Sequence, residues 1–261
     1  WYRSRGLGDV YKRQIISSSY FKEDEPHQAE YYVLLLSSAL GMLITASAND
    51  FLTIFVGIEL SAFSSYGLVA FRKTDDKSTE AGAKYLLIGA FSSALTLYGI
   101  SLLYALTGSV TFEGVNAFLT GIDNGVIDGD FNELIFISSL FIIAGLGFKI
   151  AVVPFHAWAP DVYEGAPTPV TALLAAASKA MGFVALFKVF IFTLEPFSDE
   201  WSLVLGIIAL VSMTIGNLAA LSQKDIGRML AYSSIAQAGY ILIAFPALTL
   251  DAVSGAIAHT M

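Results

Sequence analysis

Long uninterrupted runs of apolar residues are the feature that most limits what this sequence can fold into. Seven runs each reach the roughly 17–25 residues that an α-helix needs to cross a bilayer. They lack the alternation of membrane β-strands, so only helices satisfy their backbone polar groups in lipid. From first to seventh, we predict the spans at about 30–48, 51–71, 84–107, 133–153, 169–193, 201–221 and 229–245. The predicted fold is an all-α, polytopic transmembrane helix bundle.

The composition fits a membrane protein and argues against two other classes. Charged residues make up 14% of the chain, whereas about 25% is usual for a soluble globular domain. The formal net charge of −8 argues against a nucleic-acid-binding protein, because such a protein needs a basic surface. We therefore expect a lipid bilayer around most of this chain and no nucleic-acid partner.

Both ends of the sequence differ from the apolar middle. The segment WYRSRGLGDVYKRQ, residues 1–14, is basic and unpatterned, and we interpret it as a non-native, adaptor-like sequence outside the fold. Residues 15–29 are predicted to be an N-terminal loop or the end of a truncated preceding span. Near Asp251 an eighth apolar run begins, and it stops at Met261. We therefore expect the chain to be a fragment.

The chain has no cysteine and three histidines, His27, His156 and His259. Without thiolates it has no disulfides, zinc–thiolate sites or cysteine-bound iron–sulfur clusters. The histidines are too scattered to predict a haem or another metal site. We expect no bound cofactor or metal in this chain, and transport of something other than electrons.

The charged residues between the spans are segregated by sign. Basic residues occur after the second span, at the start of the third and after the sixth: Arg72, Lys73, Lys77, Lys84, Lys224 and Arg228. The connections after the third and fifth spans have only acidic charges: Glu113, Asp123, Asp128, Asp130, Glu195, Asp199 and Glu200. Because basic loops stay in the cytoplasm, the loops after the second, fourth and sixth spans are predicted to be cytoplasmic.

Three ionisable residues lie inside the predicted spans, and each needs a reason to be there. They are Glu59 in the second span, Lys149 late in the fourth and Lys179 near the middle of the fifth. A charge at the bilayer centre costs roughly 2.5–3.5 kcal/mol. One acid cannot neutralise two lysines, and burial favours the neutral amine of an unpaired lysine. We therefore predict a proton relay; the alternative is that these residues join helices as buried ion pairs.

The segment between the fourth and fifth spans predicts a broken helix. In KIAVVPFHAWAPDVYEGAPTPVTALL, Pro154 cannot donate a hydrogen bond to Ile150, so we expect a break just after Lys149. Broken helices beside ionisable residues form the ion sites of transporters. His156, which would share a face with Lys149 if the helix continued, and Lys84, at the cytoplasmic end of the third span, are candidates for a proton pathway. Packing by His156 and anchoring by Lys84 are the alternatives.

Three further charged residues have simpler expected roles. Asp161 and Glu164, in the predicted cytoplasmic loop, are expected to be solvated or to cap helices. Lys188 lies near the outer end of the fifth span, where its side chain can extend to the membrane interface.

Three sequence motifs together resemble a known family. They are VGIEL in the second span, GLGFKIAVVPFHAWAPDVYEGAPTPVTALLAAASK across the fourth and fifth, and QKDIGRMLAYSSIAQAGY leading into the seventh. In this order they resemble the antiporter-like membrane subunits of respiratory complex I, the proton-translocating NADH-quinone oxidoreductase. The segment PDVYEGAPTPVTA is most similar to the subunit N branch of the bacterial family. The resemblance covers the chain from about residue 28 to its end.

The resemblance implies an architecture and a set of partners. In that family two inverted repeats of five helices each carry a half-channel, which implies a first antiporter-like repeat at 30–193 and a truncated second repeat at 194–261. It implies a multi-pass protein of the bacterial cell inner membrane that assembles with other membrane subunits of complex I. NADH, FMN, iron–sulfur clusters and quinone would then be handled by partner subunits.

The resemblance also implies roles for individual residues. Glu59 matches the family's charge-modulating acid, Lys149 its partner on the broken helix, and Lys179 the central relay lysine. Lys84 and His156 match positions with weaker roles. The lysine of the second half-channel would lie beyond the last residue of this sequence.

Two positions depart from the family pattern. Gly227 stands where the family often has lysine, and Gln237 stands where it often has histidine. At Gln237 the chain therefore lacks the usual imidazole for a link toward the second half-channel. Neither departure involves the three predicted relay residues.

The predicted function is that of a proton-translocating membrane subunit of NADH-quinone oxidoreductase. Electron transfer from NADH to quinone in partner subunits would drive protons through the buried glutamate and lysines. The chain would thus be part of an enzyme, a translocase, without redox chemistry of its own. Two alternatives remain open, a subunit of a multi-subunit cation/proton antiporter and a structural membrane subunit whose charges hold helices together.

Overall fold

The computed structural model of the chain describes residues 27–260, with the exception of 128 and 130. The predictions for residues 1–14 and for most of 15–29 lie outside the described residues. Within the described range the regular structure is helical, and the only β contact is an isolated bridge between Asp50 and Thr111.

The helices of the described range are numbered in chain order. They are α1 Gln28–Ser47, α2 Phe51–Val69, α3 Asp76–Thr107, α4 Phe112–Asp123, α5 Asn132–Ile150, α6 Trp158–Gly165, α7 Thr168–Thr193, α8 Ser198–Leu221, α9 Ile226–Leu242 and α10 Leu250–Thr260. Single turns at Glu195–Phe197 and Ala244–Ala247 precede α8 and follow α9. Seven helices of this range are long and apolar enough to cross a membrane, namely α1, α2, α3, α5, α7, α8 and α9. The all-α, polytopic prediction is confirmed, and α10 begins where the eighth apolar run was predicted.

The start of the third span differs most from its predicted boundary, and the other boundaries, such as the end of the fourth span, differ by up to about three residues. Helix α3 begins at Asp76 rather than near 84, because the Asp75 side chain caps it by accepting a 3.1 Å hydrogen bond from the Lys77 amide. Lys77 and Lys84 therefore lie on a helix. Helix α5 ends at Ile150 rather than near 153, because Ala151 adopts a left-handed conformation with φ of 57°.

Two helices occupy connections that were predicted to be loops. Helix α4 follows α3, and the Thr111 side chain caps it by accepting a 3.1 Å hydrogen bond from the Gly114 amide. Its Val115 and Leu119 are fully buried, so it packs one apolar face on the bundle. Helix α6 lies between the broken end of α5 and α7, and its Trp158 and other apolar residues are buried. With 12 and 8 residues, both helices are too short to cross a membrane.

The helix packing places alternate connections at opposite ends of the bundle. Helix α1 packs along α2, α3 along α5 and α8 along α9, while α6 lies between α3 and α9. At one end, the Phe51 amide donates to the Val110 carbonyl at 2.9 Å, and the Asn116 side chain donates to the Thr193 carbonyl at 3.1 Å. At the other end, α6 contacts the first turns of α3 and α9. The connections that were predicted to be cytoplasmic share this second end.

The outer faces of the long helices are apolar. Leu87 and Phe91 on α3 are 71% and 67% exposed, and Leu203 and Leu218 on α8 are 68% and 65% exposed. A soluble monomer rarely exposes such contiguous apolar surface. These faces are suited to lipid or to neighbouring membrane helices.

Candidate functional site

Glu59 on α2 and Lys149 in the last turn of α5 line the same small cavity between helices. Its volume of about 20 Å³ has room for roughly one water molecule. The Glu59 carboxylate accepts a hydrogen bond from the Ser93 hydroxyl of α3, and Tyr66 and Thr96 also line the cavity. Among the described residues the two charged groups form no ion pair within 4.0 Å. Both charged groups thus border one space of water size.

Lys149 is packed against the helix that carries Lys179. Its side chain is buried, and within the described part of the chain its Nζ has no hydrogen-bond partner. A Cβ atom added at Gly182 of α7 would lie 3.5 Å from Lys149 Cγ and 2.6 Å from Ile150 Cγ2. Gly182 lies about one turn after Lys179 on α7. The absence of a side chain there allows the two lysine-bearing helices to approach closely.

The predicted break after Lys149 is present, and neighbouring groups satisfy the backbone around it. Residues 151–157 are not helical. The Val153 amide donates to the Ser212 hydroxyl of α8 at 2.9 Å, and the Trp158 indole donates to the Phe148 carbonyl at 3.1 Å. Non-helical backbone at membrane depth needs such partners.

Lys179 lies on α7 immediately after a π-helical segment, Leu174–Ser178. It is 6% exposed, and its Nζ donates hydrogen bonds to the Ser234 carbonyl at 2.7 Å and the Ser234 hydroxyl at 2.9 Å, both on α9. Within the described chain no carboxylate lies within 4.0 Å of this Nζ. Lys179 and Ser234 line a cavity of about 520 Å³, together with Tyr163, Gln237 and His259 among others.

His156 does not line either of these cavities. It lies half-buried in the break between α5 and α6, and its ring centroid is 6.5 Å from that of Tyr232. Because the helix ends at Ile150, His156 and Lys149 do not share a helix face. Partial burial lowers the pKa of His156, which favours the neutral imidazole at neutral pH.

Lys84 lies in a separate group of charged residues at the α6 end of the bundle. We call this group the charge network; its members are Lys77, Glu80, Lys84, Asp161, Glu164 and Arg228. Lys84 contacts Glu80 at 2.7 Å and Asp161 at 2.6 Å, and Arg228 contacts Asp161 at 2.6 Å. Glu164 accepts from Lys77 at 2.6 Å and from Arg228 at 3.1 Å. The network joins α3, α6 and α9.

Asp161 and Glu164 are partly exposed, as the expected solvated role requires, but both also pair with cations of two other helices, which the expectation did not include. Partial burial alone would raise the pKa of Asp161, but hydrogen bonds from Lys84 and Arg228 outweigh it and lower this pKa. Hydrogen bonds from Lys77 and then Arg228 lower the pKa of Glu164. Both carboxylates are ionised at neutral pH.

Lys188 binds backbone carbonyl groups of another helix, which indicates a structural role. Its Nζ donates hydrogen bonds to the carbonyls of Ala46 and Ala48, at 2.7 and 2.6 Å. These carbonyls lie at the C-terminal end of α1, where helix carbonyls lack intrahelical partners. The lysine thus ties the end of α7 to the end of α1.

The hydroxyl groups around the buried charges were not predicted from the sequence. Ser93 binds Glu59, Ser234 binds Lys179, and Tyr163 lines the cavity beside Lys179. Serine occurs throughout these helices, so its type and spacing carry no signal for a site. The single available signal was the position of Tyr163 and Ser234 inside two of the motifs quoted above.

The sequence has relatives that match nearly all of it. Residues 48–261 match the transmembrane family described as NADH:quinone oxidoreductase/Mrp antiporter. F(420)H(2) dehydrogenase subunit N of Methanosarcina mazei is 43% identical over 246 residues, which are 94% of this chain and 48% of that protein. NADH-quinone oxidoreductase subunit N of Heliobacterium modesticaldum is 47% identical over 236 residues, 90% of this chain and 48% of that protein. The chain thus spans about half the length of these curated relatives.

The fold is also similar to that of a solved protein. A chain of respiratory complex I from Thermus thermophilus superposes with a TM-score of 0.75 at 32% identity, covering 98% of this chain and 53% of that one. The resemblance to the antiporter-like subunits of complex I, and to their subunit N branch, is confirmed. With seven long apolar helices in its described part, the chain is an integral membrane protein. It belongs to the NADH:quinone oxidoreductase/Mrp antiporter transmembrane family.

Proposed function

We propose that this chain conducts protons within a membrane subunit of NADH-quinone oxidoreductase, through a relay of Glu59, Lys149 and Lys179. The environment of Lys149 carries the proposal. Lys149 is buried without a hydrogen-bond partner among the described residues, in a cavity that it shares with Glu59, and its stem packs one turn from Lys179. A lysine held in this way can both accept and release a proton, because neither form is fixed by a permanent partner.

The distance between Glu59 and Lys149 would control the relay. At about 4 Å and an effective dielectric near 20, their attraction is on the order of 4 kcal/mol, before the cost of desolvation is subtracted. Approach of the carboxylate favours the protonated lysine, and separation favours the neutral amine. A conformational change that alternates between the two would pass a proton from Lys149 toward Lys179.

The remaining parts of the function lie in partner subunits. NADH, FMN, iron–sulfur clusters and quinone are assigned to those subunits, and this chain holds no cofactor in the proposal. Residues 30–193 form the first five-helix repeat, and 194–261 begin the second. The subunit is placed in the bacterial inner membrane with the charge network on the cytoplasmic side, as the distribution of basic residues favours.

The test replaces Lys179 in the full-length subunit of the assembled complex. Lys179→Met should abolish or strongly reduce NADH-driven proton pumping in inverted membrane vesicles, and Lys179→Arg should also be damaging because arginine does not readily release its proton. Lys188→Met is the matched control, since it makes the same change on the same helix at a lysine that binds backbone carbonyls. The Lys188→Met variant should pump protons at the parental rate per assembled complex. Near-normal pumping by Lys179→Met would refute the relay.

A second candidate function is cation/proton antiport, since the family description also names an antiporter. A site with one acid and two buried lysines also suits an exchanger that alternates between a proton and a metal cation. Sodium-gradient-driven proton movement, measured without NADH and quinone, would favour this candidate. Proton movement that requires electron transfer favours the first.

A further inference from the structure

Two hydroxyl groups connect Lys179 to α6, and the relay described above uses neither. Lys179 Nζ lies 2.9 Å from Ser234 Oγ, and Ser234 Oγ lies 3.5 Å from Tyr163 Oη. The second distance is at the outer limit of a hydrogen bond. The Ser234 hydroxyl also lies 2.8 Å from the Ala231 carbonyl, so it has two acceptors between which it can rotate.

Tyr163 lies between the buried lysine and the charge network. It is 4% exposed and packs in the same apolar cluster as Tyr85 and Trp158, while it also lines the cavity beside Lys179. A buried tyrosine hydroxyl normally has a hydrogen-bond partner. On the same short helix, the side chains of Asp161 and Glu164 are 30% and 24% exposed, so they reach solvent.

We propose that Ser234 and Tyr163 are proton-path residues that connect Lys179 to the solvent on the α6 side of the bundle. The inference rests on the proposed function of Lys179 and adds the route by which its proton enters or leaves. It assigns to α6 a part in proton transfer, in addition to its packing between α3 and α9.

The transfer conserves protons and charge along the path. The Lys179 ammonium gives a proton to Ser234 Oγ, the serine's own proton passes to Tyr163 Oη, and the tyrosine's proton leaves to water beside α6. Each oxygen gains one proton and loses one, so the path itself keeps no charge. Reorientation of the two hydroxyls allows the same transfer in the opposite direction.

The geometry separates this role from simple anchoring of Lys179. The lysine has a second contact, the Ser234 carbonyl at 2.7 Å, which Ser234→Ala leaves in place. Tyr163 approaches Ser234 and not Lys179 itself, so Tyr163→Phe removes one oxygen from the path without removing any partner of the lysine. If the hydroxyls only hold helices together, both variants should affect assembly and not proton transfer.

The experiment compares variants of the full-length subunit in the assembled complex. Ser234→Ala and Tyr163→Phe should each lower the initial proton-pumping rate per assembled complex, by roughly tenfold. Both should increase the ratio of rates in H2O and D2O, because proton transfer becomes rate-limiting. Ser234→Thr retains the hydroxyl and should restore much of the rate.

Two control variants make the same chemical changes nearby. Ser233→Ala alters the neighbouring serine, which lines the same cavity, and Tyr85→Phe alters a buried tyrosine of the same apolar cluster. Both should pump like the parent. Parental pumping and isotope ratio in Ser234→Ala and Tyr163→Phe, with Lys179→Met inactive, would overturn this inference and leave the proposed function intact. Parental pumping in Lys179→Met would instead overturn the proposed function and this inference with it.

Discussion

Three lysines of the membrane helices lie in three different chemical environments. Lys149 has no hydrogen-bond partner in the described structure, Lys179 binds one serine, and Lys188 binds two carbonyls of another helix. Hydrogen bonds to a charged amine stabilise its protonated form, and desolvation opposes it. The lysine with the fewest partners is the one that faces an acid, Glu59, across a cavity. The side chain best placed to respond to a moving carboxylate is therefore Lys149.

Substitution of Glu59 tests whether its charge acts on Lys149. Glu59→Gln keeps the size of the side chain but removes the charge, so it should impair proton pumping. Glu59→Asp keeps the charge at shorter reach and should retain partial activity. Proton pumping and quinone reduction are measured in membranes with verified assembly, and Glu113→Gln, an exposed acid on α4, is the control. The opposite order, with Glu59→Gln active and Glu59→Asp inactive, would mean that shape rather than charge matters there.

At the scale of single elements, departures from regular helix surround the lysines. Helix α5 ends directly after Lys149, and α7 contains π segments at Leu174–Ser178 and Phe187–Thr193. The first π segment ends next to Lys179, and the second contains Lys188. Such segments are frequent at functional sites because the extra residue per turn changes the direction of the side chains that follow. The close approach of α5 to α7 at Gly182 brings the end of α5 next to the part of α7 that follows the first π segment.

Enlarging Gly182 should force α5 and α7 apart. The added methyl groups of Gly182→Val would overlap Ile150, and overpacking of this kind typically costs about 1–3 kcal/mol. We expect a lower melting temperature of the purified complex and a loss of pumping. Gly255→Val is the matched control, since a Cβ atom at Gly255 would meet nothing within 4 Å. Equal melting temperatures for the two variants would show that the contact at Gly182 is not tight.

The charge network should hold α6 at neutral pH and release it in acid. The pKa values of Asp161 and Glu164 are lowered from ordinary values of 3.8 and 4.5. Their contribution is therefore complete above the ordinary values and is lost as the pH falls through the lowered ones. Amide-exchange protection of α6, corrected for the intrinsic pH dependence, should fall on acidification, whereas that of α4 should not. In Arg228→Ala the protection should already be lower at neutral pH, and unchanged protection there would argue against the network.

At the scale of the whole molecule, basic and acidic loop residues are distributed unevenly between the two ends of the bundle. The six members of the charge network lie together beside α6. The opposite end has the acidic residues of the connections around α4 and before α8, of which Asp123, Asp199 and Glu200 line one surface cavity. Positive charge near membrane ends favours the cytoplasmic side. The packing thus assembles loops that are distant in sequence into one end with paired basic and acidic residues and another end with acidic loops.

Cysteine labelling tests this orientation, and the cysteine-free chain makes each introduced thiol a unique label within the subunit. A thiol at exposed Asn124 should react with a membrane-impermeant reagent only from the periplasmic side. A thiol at exposed Lys224 should react only from the cytoplasmic side. Labelling of intact cells and of inverted vesicles measures both. Reaction of Asn124→Cys from the cytoplasm alone would reverse the proposed topology.

The sequence by itself determined the class of fold and the identity of the unusual side chains. Bilayer thickness sets the length of an apolar helix, and lipid leaves its backbone no other partners, so seven runs predict seven spanning helices. A charge in such a run is costly, so Glu59, Lys149 and Lys179 were identifiable from position alone. Pro154 likewise predicted a break, because proline has no amide hydrogen to donate. These are local rules, and each can be applied to one segment at a time.

Only the tertiary structure decided which groups meet. The water-sized space between Glu59 and Lys149, the Ser234 partner of Lys179 and the cations around Asp161 depend on how α2, α3, α5, α6, α7 and α9 pack. Nearly every face of these helices is apolar in the bilayer, so hydropathy does not specify which face turns toward which neighbour. That choice depends on shape, such as the missing side chain at Gly182, and on hydrogen bonds between residues far apart in sequence. The proposed proton route therefore depends on the packed bundle, whereas its charged members can be identified in the sequence.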